Sequence, residues 1–167
     1  MIRLVDVRPH EAYVAGHLPG AVHLDPEEDL TGDLGGGRHP LPRPEAFAAA
    51  ASRAGIGDDT FVLAYDDGTG WAARLWWLLR HHGHDACGTF DVRAYVGPLT
   101  TEEPRVERAR FTPATRDDDT ADADELLDRL DDQRLVLLDA PGQPRWSVEL
   151  PEADVRRALD ELIEGRQ

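Results

Sequence analysis

The segment 60–74 constrains the fold of this 167-residue chain more than any other stretch. It opens with an apolar run typical of a buried strand and continues through a short loop into an apolar helix. Gly68 and Gly70 let the loop direct backbone N–H groups toward one point at the helix start, which favours an anion or an anionic nucleophile. The strand instead delivers Asp66 and Asp67. A carboxylate therefore stands where an oxyanion or thiolate would fit.

Apolar runs and helix-like segments alternate along the first hundred residues. This alternation predicts an α/β fold with a parallel sheet flanked by helices on both faces. The expected strands lie at 2–7, at the end of 16–24, at 60–65 and at 87–90, and the expected helices run from Pro44 toward Gly55 and from Trp71 to His82.

A change to polar composition after residue 101 predicts a domain boundary. We expect a first domain over 1–101 and a linker or surface-wrapping segment over 102–121, which includes a solvated run of three Asp at 117–119. Residues 122–167 are expected to form a helix, a strand and a helix, with the strand at 134–140. That set of elements is half a domain rather than a whole one.

The formal net charge of −15 disfavours nucleic acid and anionic membrane surfaces as partners. No apolar run reaches the length of a spanning helix, and the N-terminus lacks the layout of a signal peptide, so we expect an acidic cytoplasmic protein. The sequence contains no Lys, which excludes Schiff-base chemistry. Cys87 is the single cysteine, so an internal disulfide and a cysteine-rich zinc site are excluded.

Five motifs occur in an order that resembles one known family. They are Leu-Val-Asp-Val-Arg at 4–8, Gly-His-Leu-Pro-Gly-Ala at 16–21, Gly-Gly-Arg-His-Pro-Leu-Pro at 36–42, Tyr-Asp-Asp-Gly at 65–68 with the helix from Ala72, and Gly-His at 83–84. This series resembles the rhodanese family, in particular the tandem-domain thiosulfate and 3-mercaptopyruvate sulfurtransferases. The family-motif positions expected to matter are Asp6, Arg8, His17, Arg38 and His39.

The resemblance implies a degenerate active site. In the family the persulfide-forming Cys lies in a loop of the second domain, and we expect that loop to lie beyond these 167 residues. Asp66 occupies the corresponding position in the first domain, as in the family's inactive N-terminal copy. Without that Cys, Arg8 and Arg74 cannot be given a role in sulfur transfer. The family's Asp-Gly-Gly turn is replaced here by residues 91–93, Asp-Val-Arg.

The resemblance also suggests how the chain could be completed. The family domain normally has a helix before its first motif, whereas this sequence starts at the strand. The helix and strand expected over 122–140 are the missing element types. We therefore hypothesise that they dock on the sheet edge of the first domain, or swap between protomers, to give one rebuilt domain.

Two readings of the acidic loop remain open. Asp66 and Asp67 could form a carboxylate pair that performs acid–base chemistry. Alternatively, a carboxylate could accept the loop N–H groups at the helix start and be inert. The residues of the expected anion cradle are Gly68, Thr69, Gly70, Trp71 and Arg74.

Other candidate sites carry weaker signals. The spacing Gly-x-Gly-x-x-Ala at 68–73 fits a dinucleotide-binding turn, but as a lone motif it is weak evidence. Cys87 could be a displaced nucleophile with His84 as its base, or a small apolar filler of a buried strand. The histidines at 81, 82 and 84 flank a helix end and are expected to be structural. We expect no metal and no cofactor.

The two tryptophans at 76 and 77 are adjacent in an expected helix. One should face the core and the other a second surface. Either that second one is exposed and marks a docking patch, or the C-terminal segment covers it.

Three functions follow from these alternatives. The leading one is a rhodanese-like sulfurtransferase homologue that acts as a non-catalytic or regulatory binding module, with a small molecule, a sulfur-carrier protein or a sulfurtransferase as partner. The second is an enzyme repurposed around Asp66 and Asp67. The third is residual sulfur transfer through Cys87. The sequence leaves the oligomeric state open.

Overall fold

The computed structural model describes residues 1–34, 39–116, 120, 135–140 and 143–148. The chain divides into two compact units, Met1–Asp117 and Asp118–Gln167. Each unit is described by itself.

The first unit is built on a four-stranded sheet in the order β2-β1-β3-β4. The strands are β1 (Ile2–Asp6), β2 (Val22–His23), β3 (Phe61–Asp66) and β4 (Cys87–Asp91). All three neighbouring pairs are parallel. The predicted parallel α/β architecture is confirmed, and each expected strand is present within two residues of its predicted bounds, the 2–7 strand being β1.

The helices of this unit are α1 (His10–Ala15), α2 (Pro44–Arg53) and α3 (Trp71–His81), and a 3₁₀ turn spans Val92–Ala94. Pro44 occupies the first turn of α2, where its missing N–H costs nothing. Gly70 precedes α3 with φ of 91°, a left-handed conformation that favours glycine. The sequence did not predict α1, because six residues with one buried side chain carry no helical periodicity.

The main core lies on one face of the sheet. Val5, Val62 and Ala64 point to this face and are fully buried. They share a cluster with buried residues of α2 and α3, including Phe47 and Leu75. Because α3 is apolar over most of its circumference, its burial against the sheet fixes the direction in which its N-terminus meets the end of β3.

Among the described residues of this unit, the opposite face is covered at one end only. Tyr65 packs there against Leu18 and Ala21, with Leu4 and Phe90 partly buried beside them. Toward the amino ends of the strands the cover stops. Ile2 is 67% exposed and its ladder partner Phe61 is 41% exposed.

Residues 100–116 wrap around the first unit through backbone hydrogen bonds. The N–H of Ala109 donates to Ser52 O over 3.2 Å, the N–H of Asp58 donates to Arg110 O over 3.1 Å, and the N–H of Ala114 donates to His82 O over 2.9 Å. Phe111 is 8% exposed, and its ring centroid lies 5.7 Å from that of Phe47. The segment predicted over 102–121 as a linker or a surface-wrapping segment thus belongs to the first unit as far as residue 117.

The second unit contains an antiparallel pair, β5 (Leu135–Ala140) and β6 (Gln143–Val148). The strand predicted at 134–140 is present as β5, whereas β6 was not predicted, because Pro144 and the polar residues around it weaken the strand pattern. The ladder partner of β5 is β6, in a separate sheet of two strands. The completion of the first unit by 122–167 stays a prediction.

The other expectations for this region, the helix over 122–130, the final helix and the Asp run at 117–119, lie outside the described residues.

We predict that Phe111→Ala lowers the free energy of unfolding by about 3 kcal/mol, because it removes a buried ring from the main core. Urea unfolding followed by circular dichroism measures this. Phe61→Ala is the matched control and should cost about 1 kcal/mol or less, since Phe61 is 41% exposed. Equal losses in the two variants would contradict the role assigned to the 100–116 segment.

Candidate functional site

The ends of the parallel strands meet at one edge of the sheet, and a buried ion pair lies at its centre. Asp6 ends β1 and is fully buried. The Arg8 guanidinium donates from Nη2 to Asp6 Oδ2 over 2.6 Å and from Nε to Oδ1 over 3.0 Å. The Asp6 carboxylate raises the pKa of Arg8. Both motif residues are thus occupied with each other and are held away from solvent.

The same ion pair organises the next motif. Arg8 Nη2 also donates to Gly16 O over 2.8 Å, and its guanidinium carbon lies 5.7 Å from the Tyr65 ring centroid. The Tyr65 hydroxyl oxygen accepts the N–H of Leu18 over 3.1 Å. Burial raises the pKa of Tyr65, so the phenol stays protonated at neutral pH. These contacts attach the turn at 16–21 to the sheet.

The loop between β3 and α3 holds its own carboxylate. Asp66 Oδ1 accepts the N–H of Gly68 over 2.8 Å, and Oδ2 accepts the N–H of Ala72 over 2.9 Å. The Asp66 residue is 6% exposed, while its neighbour Asp67 is exposed. Both oxygens of Asp66 therefore accept N–H groups that a bound anion would otherwise take.

Arg93 lies over this loop. A Cβ placed on Gly68, whose φ is 96°, would lie 2.5 Å from Arg93 Nη2. Asp91 fixes the guanidinium with bonds of 2.9 Å from Nε to each of its oxygens. Asp91 also raises the pKa of Arg93, with smaller contributions from Asp67 and Asp66. The substitution of Arg for the expected glycine at 93 thus places a cation against the outer side of the loop.

Arg74 does not point into the expected cradle. Its Nη2 donates to His39 O and to Pro40 O, each over 3.1 Å, and its guanidinium carbon lies 5.4 Å from the Trp77 ring centroid. Burial lowers the pKa of Arg74. The residue therefore ties α3 to the loop at 39–40, and the cradle residues brought together are Asp66 to Trp71.

The remaining family-motif residues have structural contacts. His17 is fully buried, with Nδ1 2.9 Å from Tyr13 O and Nε2 3.2 Å from Glu102 O. His39 contacts the ring of Trp71 edge-on, with centroids 4.9 Å apart. Arg38 lies outside the described residues.

Cys87 lies at the other end of its strand from the loop. The ladder pairs Val62 with Cys87 and Asp66 with Asp91, so Cys87 is four residues below the Asp66 row, about 13 Å along the strand. Its Sγ lies 3.5 Å from His84 O. Burial raises the pKa of the thiol. The base proposed for it, His84, has its Nε2 2.8 Å from Thr60 O and is engaged elsewhere.

The three histidines at the end of α3 contact different neighbours. The His81 ring stacks on Trp77 with centroids 5.1 Å apart, and the His82 ring stacks on Phe47 at 4.9 Å. Of the adjacent tryptophans, Trp77 packs against the main core and Trp76 is 36% exposed, with the Arg80 guanidinium carbon 5.0 Å from its ring centroid. In the described part of the chain, the outward tryptophan is Trp76.

The first unit has a cleft of about 320 Å³ at the β2 edge, which the sequence does not predict. His10, His23 and Tyr13 form one wall, where the Tyr13 and His23 rings stack with centroids 4.8 Å apart. Arg53 and Glu103 lie on its lining. None of the lining residues belongs to the Asp66 loop. No local motif signals this cleft, because it forms only when residues 100–116 return to β2.

Comparison with known proteins decides the family. The rhodanese-like domain matches residues 1–97. The chain belongs to the rhodanese-like domain family. This rhodanese-like domain contains, among the described residues, no helix long and apolar enough to cross a membrane.

The related proteins are sulfurtransferases. The chain is 30% identical over 152 residues to thiosulfate sulfurtransferase from Bos taurus, a match that covers 85% of this chain and 50% of that protein. It is 43% identical over 76 residues to 3-mercaptopyruvate sulfurtransferase from Escherichia coli K12, covering 44% of this chain and 26% of that protein.

A solved structure shows the same fold. The crystal structure of SseA from Escherichia coli, described as a 3-mercaptopyruvate sulfotransferase with the rhodanese fold, superposes with a TM-score of 0.69 at 25% identity. The match covers 96% of this chain and 63% of that chain. The chain thus spans about half or less of the length of the curated relatives described above.

We predict that Asp66→Ala lowers the free energy of unfolding by about 1–2 kcal/mol, because two N–H groups at the start of α3 lose their acceptor. Chemical denaturation measures the loss. The adjacent Asp67→Ala is the control and should change stability by less than about 0.5 kcal/mol, since Asp67 is exposed. A larger loss for Asp67→Ala than for Asp66→Ala would contradict the capping role.

We predict that Cys87 alkylates slowly at neutral pH. Burial raises the thiol pKa above its ordinary value of 9.0, so the reactive thiolate is scarce at pH 7 and increases as the pH rises through and beyond 9. The rate of iodoacetamide labelling of the folded chain, compared with that of the chain in denaturant at each pH, measures this. Labelling of the folded chain at least as fast as in denaturant at pH 7 would contradict it.

Proposed function

We propose that this chain is a non-catalytic rhodanese-like binding module, corresponding to the inactive N-terminal copy of the tandem sulfurtransferases. One observation carries the proposal: both oxygens of the Asp66 carboxylate accept N–H groups of the loop, where the resemblance would otherwise put a persulfide. A carboxylate held this way cannot carry a sulfane sulfur. The relatives are sulfurtransferases, so a sulfurtransferase or a sulfur-carrier protein is the partner class that we propose.

The contacts at the loop support a binding role over acid–base chemistry. Both carboxylate oxygens of Asp66 accept main-chain N–H groups, so both are occupied within the loop. Asp67 is exposed to solvent. The guanidinium of Arg93 against Gly68 restricts access from one side. These contacts support a binding module more than a repurposed enzyme. In such an enzyme, Asp66 and Asp67 would be the catalytic residues.

Sulfur transfer through Cys87 receives the least support. Its distance along β4 from the loop separates it from the N–H groups that would stabilise a persulfide. Its raised pKa makes it a poor nucleophile at neutral pH.

The proposal predicts that the chain takes up no sulfur from thiosulfate. Intact mass after incubation should be unchanged, for the wild type and for Cys87→Ser alike. A sulfur atom added to the wild type and lost in Cys87→Ser would overturn the proposal and revive transfer through Cys87.

A gain-of-function variant tests the cradle itself. In Asp66→Cys the thiolate would meet the N–H groups of Gly68 and Ala72, which lower a thiol pKa. The thiolate attacks the sulfane sulfur of thiosulfate, a sulfur–sulfur bond forms on the Cys, and sulfite leaves with the electron pair of the broken bond. We expect added sulfur in Asp66→Cys and none in the exposed control Asp67→Cys. Equal uptake would contradict the assignment of the cradle.

A further inference from the structure

We propose that the outer edge of β4 pairs antiparallel with β4 of a second copy of this chain, joining two four-stranded sheets into one. This inference goes beyond the binding function proposed above. It rests on the hydrogen-bonding pattern of β4, on the side chains along it and on the charges beside it.

The backbone of β4 has an outward row of donors and acceptors. The N–H of Val62 donates to Ala86 O over 2.9 Å, and the ladder pairs Val62 with Cys87. Because alternate residues of a strand face the same neighbour, Gly88 and Phe90 also bond toward β3, while Thr89 and Asp91 direct their N–H and C=O groups outward. β4 is the last strand of the described sheet, and no described residue bonds to the main chain of Thr89.

Three common forms of protection against pairing are missing from this edge. Sheet edges are commonly guarded by proline, by lysine or by a bulge. The β4 sequence Cys-Gly-Thr-Phe-Asp contains neither residue, and its register with β3 is continuous. Thr89 at its centre is exposed.

The strand is complementary to itself about Thr89. If two copies pair antiparallel on a twofold axis through Thr89, Phe90 of one copy lies opposite Gly88 of the other. A Cβ on Gly88 would contact only Leu63 and Phe61, each at 3.7 Å, which leaves open space for a ring. Phe90 is half-buried and Phe61 is 41% exposed, so the contact would cover apolar surface on that face.

The other side of the edge contributes a second apolar group. Cys87 Sγ lies 3.8 Å from Trp76 O, which places Trp76 beside β4 on the helix-bearing face. The Trp76 side chain is among the exposed large apolar groups at 36%. Aromatic groups on both faces of an edge strand extend the area that a second copy would bury.

Local charge does not oppose the pairing, although the whole chain has a formal net charge of −15. Asp91 is paired with Arg93 over 2.9 Å, and Asp85 accepts Arg116 Nη2 over 2.7 Å. The long-range repulsion between two acidic chains is screened by salt. A single strand pair with two flanking aromatics is a small interface, so the dimer should be weak and concentration-dependent.

Sedimentation velocity of the full chain over a concentration series tests the proposal. We expect a mass that rises toward two chains with concentration, and that rises further in added salt. Thr89→Pro removes an outward N–H without removing a bond to β3, and it should abolish the rise while circular dichroism stays native. Thr89→Val keeps the N–H and should retain the rise. A monomeric wild type, or association that persists in folded Thr89→Pro, would overturn the proposal.

Cross-linking tests the register independently. Opposed residues of a hydrogen-bonded antiparallel pair have Cα atoms about 5.5 Å apart, within reach of a disulfide. Oxidised Cys87→Ser/Thr89→Cys should therefore form a covalent dimer. The control Cys87→Ser/Val14→Cys, with a cysteine at a 45% exposed position of α1, should not. Equal cross-linking in both variants would contradict pairing at β4.

Discussion

The buried ion pair between Asp6 and Arg8 is the interaction on which the site edge of this domain depends. A fully buried carboxylate is costly unless it is paired and hydrogen-bonded, and Arg8 provides both the charge and two donors. Arg8 also donates a hydrogen bond to Gly16 O, which holds the second motif against the sheet. There the Tyr65 hydroxyl oxygen accepts the N–H of Leu18. Arg8 therefore joins the motif at 4–8 to the motif at 16–21 through its bond to Gly16 O.

The cradle loop repeats this logic with a different partner. Asp66 is buried beside the start of α3, and main-chain N–H groups supply what the guanidinium supplies to Asp6. Both donors are taken by a carboxylate of the protein itself, so they support the local fold of the loop. The same two hydrogen bonds hold the Asp66 carboxylate in the loop and stabilise the start of α3.

Much of the architecture follows from local sequence. The apolar runs at β1 and β3, Pro44 at the start of α2 and the glycines before α3 predict their elements, because each reflects a backbone requirement. From the sequence, Asp66 could belong to a catalytic carboxylate pair or cap the start of α3. Its hydrogen bonds depend on where the N–H groups of Gly68 and Ala72 lie, which the sequence does not show. The carbonyl partners of Arg74 lie 35 and 34 residues away in sequence, so the local pattern does not predict them. The position of Arg93 against Gly68 depends on how β4 pairs with β3, which local sequence does not show either. The helix α1 and the strand β6 lack a periodic pattern.

The course of residues 100–116 has a consequence for how such domains are delimited. The match to the rhodanese-like domain ends at residue 97, yet Phe111 packs in the main core between α2 and the end of α3. A boundary placed at the end of that match would leave the Phe47 and His84 rings without their cover and would remove the N–H of Ala114 that donates to His82 O. The compact unit therefore extends past the matched domain, and the buried ring of Phe111 is part of what holds the extension in place.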